Sequence, residues 1–392
     1  MKSLRHYARM IKNRLKKQAE KIVKNNVYNF YSYTMDRTII PLNTEEEKEF
    51  GDKNIINWII PELDMSSGGH MTIFRFISNL ERMGMHNRLY LFNSKKFKDD
   101  AEFRDFLEKY YDESLTTKDV EIYCNTDNVK YAKITMATGW QTAYFVRRFE
   151  NTKVKYYFVQ DFEPLFAPMG TEYLLAENTY HFGFKAITAG DWLRDKLREE
   201  YNMETSSFHF SYEKKYFSPI EKRDDKKRIF FYARPVTPRR AFDLGMLALM
   251  ELHKRVPEIE VIFAGWDVSG YDIPFIHLNA GSIRMEELAD CYAQCDMCLV
   301  MSTTNLSLMP YEVMASNSVV VSNRGANNEW FLNDENSILT SYDPVEIAET
   351  MEYYLNHREL LEEKRKKGYE SVVNSSWAKE AEKVYNVLIK EA

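Results

Sequence analysis

The sequence contains little glycine, proline or cysteine. Its 392 residues include 14 glycines, 11 prolines and four cysteines. This scarcity excludes a collagen-like or low-complexity chain, and so few cysteines fit a reducing compartment. The rest of the composition is ordinary for a globular protein, with 44% hydrophobic and 29% charged residues. At roughly 100–200 residues per domain, the length predicts two domains, each with its own core.

Long apolar runs are also missing from the sequence. No segment approaches the roughly 18 consecutive apolar residues that a membrane span needs. Residues 1–24 carry a charge every few positions, so they lack the uninterrupted apolar core of a signal peptide. We therefore expect a cytoplasmic protein.

Three of the four cysteines are close together in the sequence. Cys291, Cys295 and Cys298 have the spacing C-x3-C-x2-C, and a zinc site is one interpretation. However, the first two lie in a helical pattern, the third lies in the apolar run MCLVM, and no second Cys or His pair follows at ligand spacing. We expect buried, reduced thiols and no metal.

Negative charge prevails outside the first residues of the chain. The net charge is −6, but residues 2–24 hold nine Lys or Arg against a single acid, Glu20. The remainder has 44 basic and 58 acidic residues, which is a net charge of −14. This sign argues against nucleic-acid binding, because the neutralisation of phosphates needs a basic face.

The basic segment has a pattern of its own. Its apolar residues recur at helical spacing among the cationic side chains, and they are Leu4, Tyr7, Ala8, Ile11, Leu15 and Ile22. Such a helix can lie in a membrane interface, where anionic lipid attracts Lys and Arg. The alternative is a solvated helix that packs on the protein itself. We predict that residues 1–24 bind the inner membrane surface and make the protein peripheral.

Short apolar runs alternate with helical patterns in the first half of the chain. The runs lie at 56–60, 88–92, 133–138, 155–160 and 185–189. This alternation predicts a parallel sheet that is covered by helices on both faces. It pauses at 213–227, a stretch that is dense in charge and contains Pro219, and we predict a linker there.

The alternation restarts in the second half, with runs at 228–232, 260–265, 298–302 and 318–323. The predicted fold class is therefore α/β, with two doubly wound domains. In such folds ligands bind beyond the carboxyl ends of the strands, so the loops after these runs are the places to look for chemistry. The predicted parts are a basic amphipathic extension at 1–50, a first domain at 51–212, the linker at 213–227, a second domain at 228–374 and a closing helix at 375–392.

Glycines follow the first strand. Gly68 and Gly69 fall at a predicted strand-to-helix turn, where backbone N–H groups can face an anion. A glycine pair at this place is equally consistent with turn chemistry alone.

Arginines follow the first strand of the second half. The segment ARPVTPRRAF places Arg234, Arg239 and Arg240 at one strand–loop–helix junction. Their guanidinium groups suit a diphosphate. A solvated face is the alternative interpretation, but Pro235 and Pro238 stiffen the loop beside the predicted crevice.

A glutamate follows the run at 298–302. The segment STTNLSLMPYEVMA contains a polar loop, Pro310 at the start of a short helix and Glu312 in its first turn. Proline and a carboxylate at these positions suit a helix start by themselves. The functional interpretation has Glu312 accept hydrogen bonds from a ribose diol.

These segments resemble a known family. PYEVMASNSVVVSNRG is similar to the E-A-M-A-x-G-x-P-V-V segment of glycosyltransferase family four, and ARPVTPRRAF is similar to that family's phosphate loop. YFSP at 216–219, LADCYAQCDMCLVMS and SSWAKEAEKVY also resemble family segments. The resemblance covers about residues 52–391. It implies the GT-B fold, with two facing Rossmann-like domains, and a nucleotide-sugar transferase that retains the anomeric configuration.

The resemblance also implies a donor site without metal or other cofactor. The catalytic residues would be Arg234, Arg239, Arg240 and Asp161, with Arg239 and Arg240 competing for the place of the family's lysine. The family's second glutamate matches Glu312, but the first, eight positions earlier, is Thr304 here. The implied donor-binding residues are Gly68, Gly69, Thr303, Thr304, Asn305, Leu308, Met309, Tyr311 and Glu312.

The acceptor side is implied by the segment that follows the run at 155–160. Asp161 and Glu163 leave this strand two positions apart and are candidates to orient acceptor hydroxyls, as is His70 after the glycine pair. The alternatives are a helix or turn cap for Asp161 and a packed imidazole for His70.

A narrower resemblance concerns the sugar. NWIIPELDMSSGGHMTIFRFI, FVQDFEPLFAPMGTEYLLAENTY and ITAGDWLRDKL are similar to bacterial rhamnosyltransferases that build surface polysaccharides from dTDP-rhamnose. The expected partners are therefore dTDP-rhamnose and a lipid-linked or oligosaccharide acceptor. Two alternatives stay open: another nucleotide sugar or a nucleotide-sugar epimerase on the same fold, and an inactive donor-binding partner of another glycosyltransferase.

Overall fold

The computed structural model describes residues 27–63, 67–111, 115 and 119–391. The chain divides into two units, residues 1–39 and residues 40–392. In the first unit, the helix α1 (Val27–Tyr31) runs into a 3-10 turn, Ser32–Thr34. The predicted membrane helix at 1–24 lies outside the described residues.

Seven parallel strands form the first sheet of the second unit. Their order is β3-β2-β1-β4-β5-β6-β7, so the winding reverses between β1 and β4. The strands are β1 (Ile55–Ile60), β2 (His86–Leu91), β3 (Glu121–Tyr123), β4 (Ala132–Ala137), β5 (Thr152–Val159), β6 (Lys185–Ala189) and β7 (Thr205–Phe208).

Helices alternate with these strands along the chain. They are α2 (Thr44–Phe50), α3 (Gly68–Arg82), α4 (Asp100–Tyr111), α5 (Trp140–Arg148), α6 (Thr171–Asn178) and α7 (Asp191–Tyr201). The first of them is capped by Asn43, whose side chain accepts hydrogen bonds from the amides of Glu45 and Glu46. The backbone N–H of Asn43 also donates to Asn151 Oδ1 at 2.8 Å, which ties the start of α2 to the sheet.

Six parallel strands form the second sheet. Their order is β10-β9-β8-β11-β12-β13, and the winding reverses between β8 and β11. The strands are β8 (Arg228–Tyr232), β9 (Glu260–Ala264), β10 (Ile276–Gly281), β11 (Met297–Leu299), β12 (Val319–Asn323) and β13 (Ile338–Thr340).

Seven helices accompany this second sheet and its end. They are α8 (Phe242–Arg255), α9 (Met285–Ala293), α10 (Met309–Ala315), α11 (Ala326–Glu329), α12 (Pro344–Asn356), α13 (Arg358–Val372) and α14 (Trp377–Leu388). The last of these returns to the first sheet, because Trp377 packs edge-on against Phe76 of α3 with 6.3 Å between ring centroids.

The apolar core explains why the two sheets hold together. Ile56, Trp58 and Ile60 of β1 enter one cluster, and Ile59 enters another, because successive side chains of a strand point to opposite faces. The first cluster continues into the second sheet, where it includes Phe230. One continuous apolar layer therefore joins the two halves.

The predicted fold class is confirmed, with two doubly wound parallel sheets and helices between the strands. Four strands have no counterpart among the predicted apolar runs, and they are β3, β7, β10 and β13. Two of them are three residues long, β7 has the polar sequence TSSF, and β10 is an edge strand in which Ile276 is 63% exposed. None of these presents the apolar run that marks a buried strand.

The cysteines are free thiols in the structure. Cys291 is at the end of α9, and its carbonyl oxygen lies 3.2 Å from Cys295 Sγ. Burial raises the pKa of Cys298 to about 12. Within the described ranges, no group of three His, Cys, Asp or Glu side chains has an arrangement that could hold a metal ion. None of the described helices combines the length and the apolar character that crossing a bilayer requires.

Candidate active site

The site lies where the second sheet reverses its winding. Because β8 and β11 are neighbours, the loops that follow them leave the same edge of the sheet side by side. The loop after β8 contains the three predicted arginines, and the loop after β11 contains residues 302–308. The backbone joins them, since the N–H of Thr303 donates to the carbonyl oxygen of Arg239 at 3.0 Å.

The arginine loop is held by a short 3-10 turn, Pro238–Arg240. Ala241 follows it in the left-handed region, with φ of 47°, and turns the chain into α8. Arg240 Nη1 donates to Ser302 Oγ at 2.9 Å, and Arg234 Nη1 lies 3.4 Å from the carbonyl oxygen of Gly265. The guanidinium groups therefore extend from the loop toward the ends of β9 and β11.

Positive charge is in excess at this junction. Burial lowers the pKa of Arg240, and the nearby Arg239 and Arg234 lower it further, which places the three cations close together. Asp161 opposes the shift, and Arg239 Nε lies 3.5 Å from its Oδ2 atom. One carboxylate is thus set against three guanidinium groups, an arrangement that favours an additional anion.

Asp161 connects the two halves of the molecule. It follows β5, and its carboxylate accepts hydrogen bonds from Thr304 Oγ1 at 2.9 Å and from the N–H of Asn305 at 2.8 Å. Asn305 Nδ2 donates in the opposite direction, to the carbonyl oxygens of Gln160 and Ala189 at 3.0 and 2.7 Å. We call these contacts the loop clasp. They turn the side chains of Thr304 and Asn305 toward the first domain.

The end of β12 and the helix α11 support the clasp from behind. The side-chain amides of Asn323, Asn327 and Asn328 all donate to the carbonyl oxygen of Ser302. Trp330 Nε1 donates to Asn305 Oδ1 at 3.1 Å. These contacts fix the backbone of the loop on which the candidate site residues stand.

Glu312 lies in the first turn of α10, as its sequence position predicts. Burial raises its pKa to about 7, while the nearby Arg75 of α3 opposes that rise. Its neighbour Tyr311 is buried and stacks on Phe331, with 4.1 Å between ring centroids. Leu308 and Met309 begin the helix, so their backbone lies at its amino end.

The glycine pair begins α3, at the carboxyl edge of the first sheet. A Cβ atom at Gly68 would meet no atom of the described residues within 4 Å, so these residues leave room for a ligand at its backbone. The carbonyl oxygen of Gly69 accepts a hydrogen bond from Gln160 Nε2 at 3.0 Å. His70, one residue on, lies with its ring tilted against Phe74 at 6.3 Å between centroids.

Glu163 points into the core of the first domain. Its Oε2 atom accepts a hydrogen bond from the N–H of Trp140 at 2.6 Å, and its own N–H donates to Tyr180 Oη at 3.2 Å. Burial raises the pKa of this carboxyl group to about 8. The structure therefore brings Asp161, but not Glu163, up to the arginines.

Several residues of the site were not predicted from the sequence. Ser302, Gln160 and the asparagines after β12 each hold a loop in place, and Trp330 fills the space beside Gly190, where a Cβ atom would lie 2.6 Å from the indole ring. Ser302, Gln160 and Asn323 share one signal in the sequence, which is their position in or just beyond the end of a parallel strand.

Each half of the chain is similar to a known domain family. Residues 55–189 match the family model of the WsaF N-terminal domain, and residues 227–352 match that of the WsaF C-terminal domain. The two matches follow each other along the chain, with the N-terminal domain model first. The O-antigen biosynthesis protein RfbC of Myxococcus xanthus is 32% identical over 262 residues. That match covers 65% of this chain but only 20% of RfbC, so the chain spans about one fifth of that relative's length.

Solved structures establish the architecture. TarM of S. aureus, crystallised with fondaparinux, α-GlcNAc-glycerol and UDP, superimposes with a TM-score of 0.68 at 11% identity, over 86% of this chain and 100% of TarM. HepE of Anabaena, crystallised with UDP and glucose, gives 0.65 at 12% identity, over 86% of this chain and 99% of HepE. The chain has the GT-B fold.

Proposed function

We propose that this chain is a nucleotide-sugar-dependent glycosyltransferase of polysaccharide biosynthesis. The observation that carries the proposal is the excess of positive charge at the GT-B switch point, where Arg234, Arg239 and Arg240 lie close together and a single carboxylate, that of Asp161, pairs with Arg239. The match to both WsaF domains and to an O-antigen biosynthesis protein supports the same class of activity.

The donor lies between the two sheets. Arg234 and Arg240 bind its diphosphate, and Arg239 contributes charge from its place beside Asp161. Glu312 accepts hydrogen bonds from the ribose, since no described residue donates a hydrogen bond to its carboxyl group, which lies in the first turn of α10. The open backbone at Gly68 faces the donor from the first domain.

The donor sugar meets fewer acidic side chains here than in glycosyltransferase family four, because Thr304 stands in the place of that family's first glutamate. The hydroxyl of Thr304 and the amide of Asn305 are engaged in the loop clasp. Contacts to the sugar therefore come from Thr303 and from the backbone of Leu308 and Met309. A 6-deoxy sugar has one hydroxyl fewer to satisfy, and together with the narrower resemblance this supports dTDP-rhamnose as the donor.

The arginines stabilise the leaving group. As the bond between sugar and diphosphate breaks, negative charge grows on the phosphate oxygen, and fixed guanidinium groups lower the energy of that state. We propose that no metal takes part, in accord with the family that the sequence resembles. The acceptor hydroxyl attacks from the face that the diphosphate leaves, which retains the anomeric configuration, and a phosphate oxygen takes its proton.

The acceptor enters from the first domain. His70 is the residue that orients it, since it follows the glycine pair at the edge of the cleft. Asp161 acts mainly by positioning Arg239 and the loop after β11, because both of its oxygens are occupied. The acceptor is a lipid-linked glycan or an oligosaccharide, and residues 1–24 keep the enzyme at the inner membrane surface.

A second candidate function follows from Thr304. Because the family's sugar-side glutamate is absent, the chain is alternatively an inactive donor-binding partner of another glycosyltransferase. Incubation with dTDP-rhamnose and a bacterial lipid-linked oligosaccharide, followed by mass spectrometry of the acceptor and proton NMR of the donor, separates the candidates. A transferase yields an acceptor heavier by one deoxyhexose, an epimerase changes the donor without acceptor, and an inactive partner changes neither.

A further inference from the structure

A cavity lies at the junction of the two domains, and we call it the hinge cavity. None of the three arginines of the candidate site lines it. Its volume is about 330 Å³, far more than one water molecule requires. Three segments line it: α3 of the first domain, residues 211–215 after β7, and the beginning of α14. The cavity therefore lies where the two domains are joined.

The lining carries a strong excess of positive charge. Four cationic side chains contribute to it, and they are Arg75, Arg82, Lys214 and Lys215. Glu213 is the single acidic residue among the described residues of the lining. It pairs with Arg75, whose Nε atom lies 2.6 Å from Glu213 Oε1.

Two buried donors of the lining have no acceptor. Arg75 is only 5% exposed, and its Nη1 atom makes no hydrogen bond to any described residue. Trp377 is 9% exposed, and its Nε1 atom is also without an acceptor. The guanidinium group of Arg75 lies over the indole ring, 4.9 Å from its centroid. Buried donors without acceptors are rare in folded proteins, and a water molecule or an ion often satisfies them.

The beginning of α14 adds backbone donors. Ser376, Trp377 and Ala378 line the cavity, and no side chain caps this 12-residue helix. The first amides of a helix lack intrahelical acceptors and carry partial positive charge, which suits an anion.

We propose that this cavity is a second anion site, which binds a phosphate group through Arg75, Lys214, Lys215 and the amino end of α14. Free phosphate and a phosphorylated sugar share this chemistry. The site is separate from the proposed donor site and does not depend on the proposed function. Arg75 also lies near Glu312, where its charge opposes the rise in the pKa of that carboxyl group.

Isothermal titration with inorganic phosphate, and in parallel with a hexose 1-phosphate, tests the site in the full chain. The double variant Lys214→Ala/Lys215→Ala should weaken binding by at least about tenfold, since hydrogen bonds to charged groups are strong. Trp377→Phe keeps the ring packing, removes the Nε1 donor and should weaken binding by a smaller factor. Lys366→Ala, an exposed lysine of α13, is the matched control and should bind as the wild type does.

Arg234→Ala distinguishes the two sites. If phosphate binds the hinge cavity, this variant keeps the wild-type affinity, and tighter binding of the hexose phosphate identifies a phosphorylated sugar as the ligand. The proposal is overturned if the wild type shows no saturable binding, if the lysine and tryptophan variants bind phosphate unchanged, or if Arg234→Ala alone abolishes binding.

Discussion

At the scale of single residues, charge is the property that links this sequence to chemistry. Arg234 contacts the carbonyl oxygen of Gly265, just beyond β9, through one long hydrogen bond of 3.4 Å, and we propose that its guanidinium group binds the diphosphate. Arg240 is tied to Ser302, and Arg239 to Asp161. Arg234 is therefore the arginine whose removal should affect catalysis most selectively.

We expect Arg234→Ala to lower kcat by about 10²–10³, or about 2.7–4 kcal/mol, as the loss of one donor to a developing anion does. Its melting temperature should stay within a few degrees of the wild type, because one weak contact is lost. Initial rates with saturating nucleotide sugar measure the effect. Arg284→Ala, which removes an exposed arginine paired with Glu287, is the control and should keep full activity. Wild-type rates in Arg234→Ala would remove this residue from the site.

Glu163 should make the stability of the fold depend on pH. Burial raises its folded-state pKa from 4.5 to about 8, so between these values the folded protein holds a proton that the unfolded chain has released. The free energy of unfolding therefore falls as pH rises through this window, by up to about 1.4 kcal/mol per pH unit.

Glu163→Gln resembles the protonated carboxyl group and should remove this contribution. Urea unfolding at several pH values from 5 to 8 should give a flatter dependence for the variant than for the wild type. Glu335→Gln, at an exposed glutamate, should follow the wild type. Parallel curves for all three proteins would show that Glu163 is ionised in the folded state.

The sequence identified which loops carry polar residues, but not where each side chain points. Arg234, Arg240 and Glu312 lie at the predicted junctions, because strand ends in a parallel sheet share one edge. Thr304 and Asn305 were predicted to contact the donor, and the structure has both in the loop clasp. The direction of these two side chains depends on contacts with the first domain, which is distant in the sequence. No local sequence pattern therefore predicts it.

At the scale of elements, the loop clasp is the contact that couples the two domains. Thr304 Oγ1 donates to Asp161 across 143 positions of sequence, and both residues are buried. A hydrogen bond from a neutral donor to a buried carboxylate contributes about 1.5–3 kcal/mol.

A double-mutant cycle should measure this coupling. We expect Asp161→Asn and Thr304→Val to interact by about 1–3 kcal/mol in urea unfolding, because the two groups share one bond. Thr303→Val provides the matched control, since the hydroxyl of Thr303 donates to the carbonyl oxygen of Arg239 and not to Asp161. A coupling near zero for Thr304, or one as large for Thr303, would contradict the clasp.

Elements with a strong apolar pattern could be predicted, and those without one could not. β1, β5, β8 and β12 are buried runs that the sequence marks clearly. β7 and β10 form through pairing with a neighbouring strand rather than through apolar content, and β10 leaves Leu278 56% exposed. Pairing of this kind depends on tertiary context, which local propensity does not contain.

At the scale of the whole molecule, the GT-B fold fixes the place of the candidate site but not the location of the protein in the cell. The basic segment at 1–24 bears on location, and its nine cationic residues stand against an acidic body. Each Lys or Arg near an anionic surface contributes about 1 kcal/mol, and salt screens that attraction.

We expect the full chain to cosediment with vesicles that contain phosphatidylserine, and the bound fraction to fall as salt rises. A chain that lacks residues 1–24 should stay in the supernatant and still bind nucleotide. Neutral vesicles of phosphatidylcholine are the control. The same bound fraction for both chains, or no binding of the full chain, would rule the membrane anchor out.

In the proposed donor site, the arginine loop and Glu312 hold a nucleotide sugar between the two domains. Isothermal titration of the wild type and Arg234→Ala with dTDP-, UDP- and GDP-sugars tests it most directly. We predict saturable binding of one nucleotide class to the wild type, with dTDP-rhamnose the tightest, and at least tenfold weaker binding to the variant. The absence of saturable binding for all three classes, or equal affinity in the two proteins, would contradict the account.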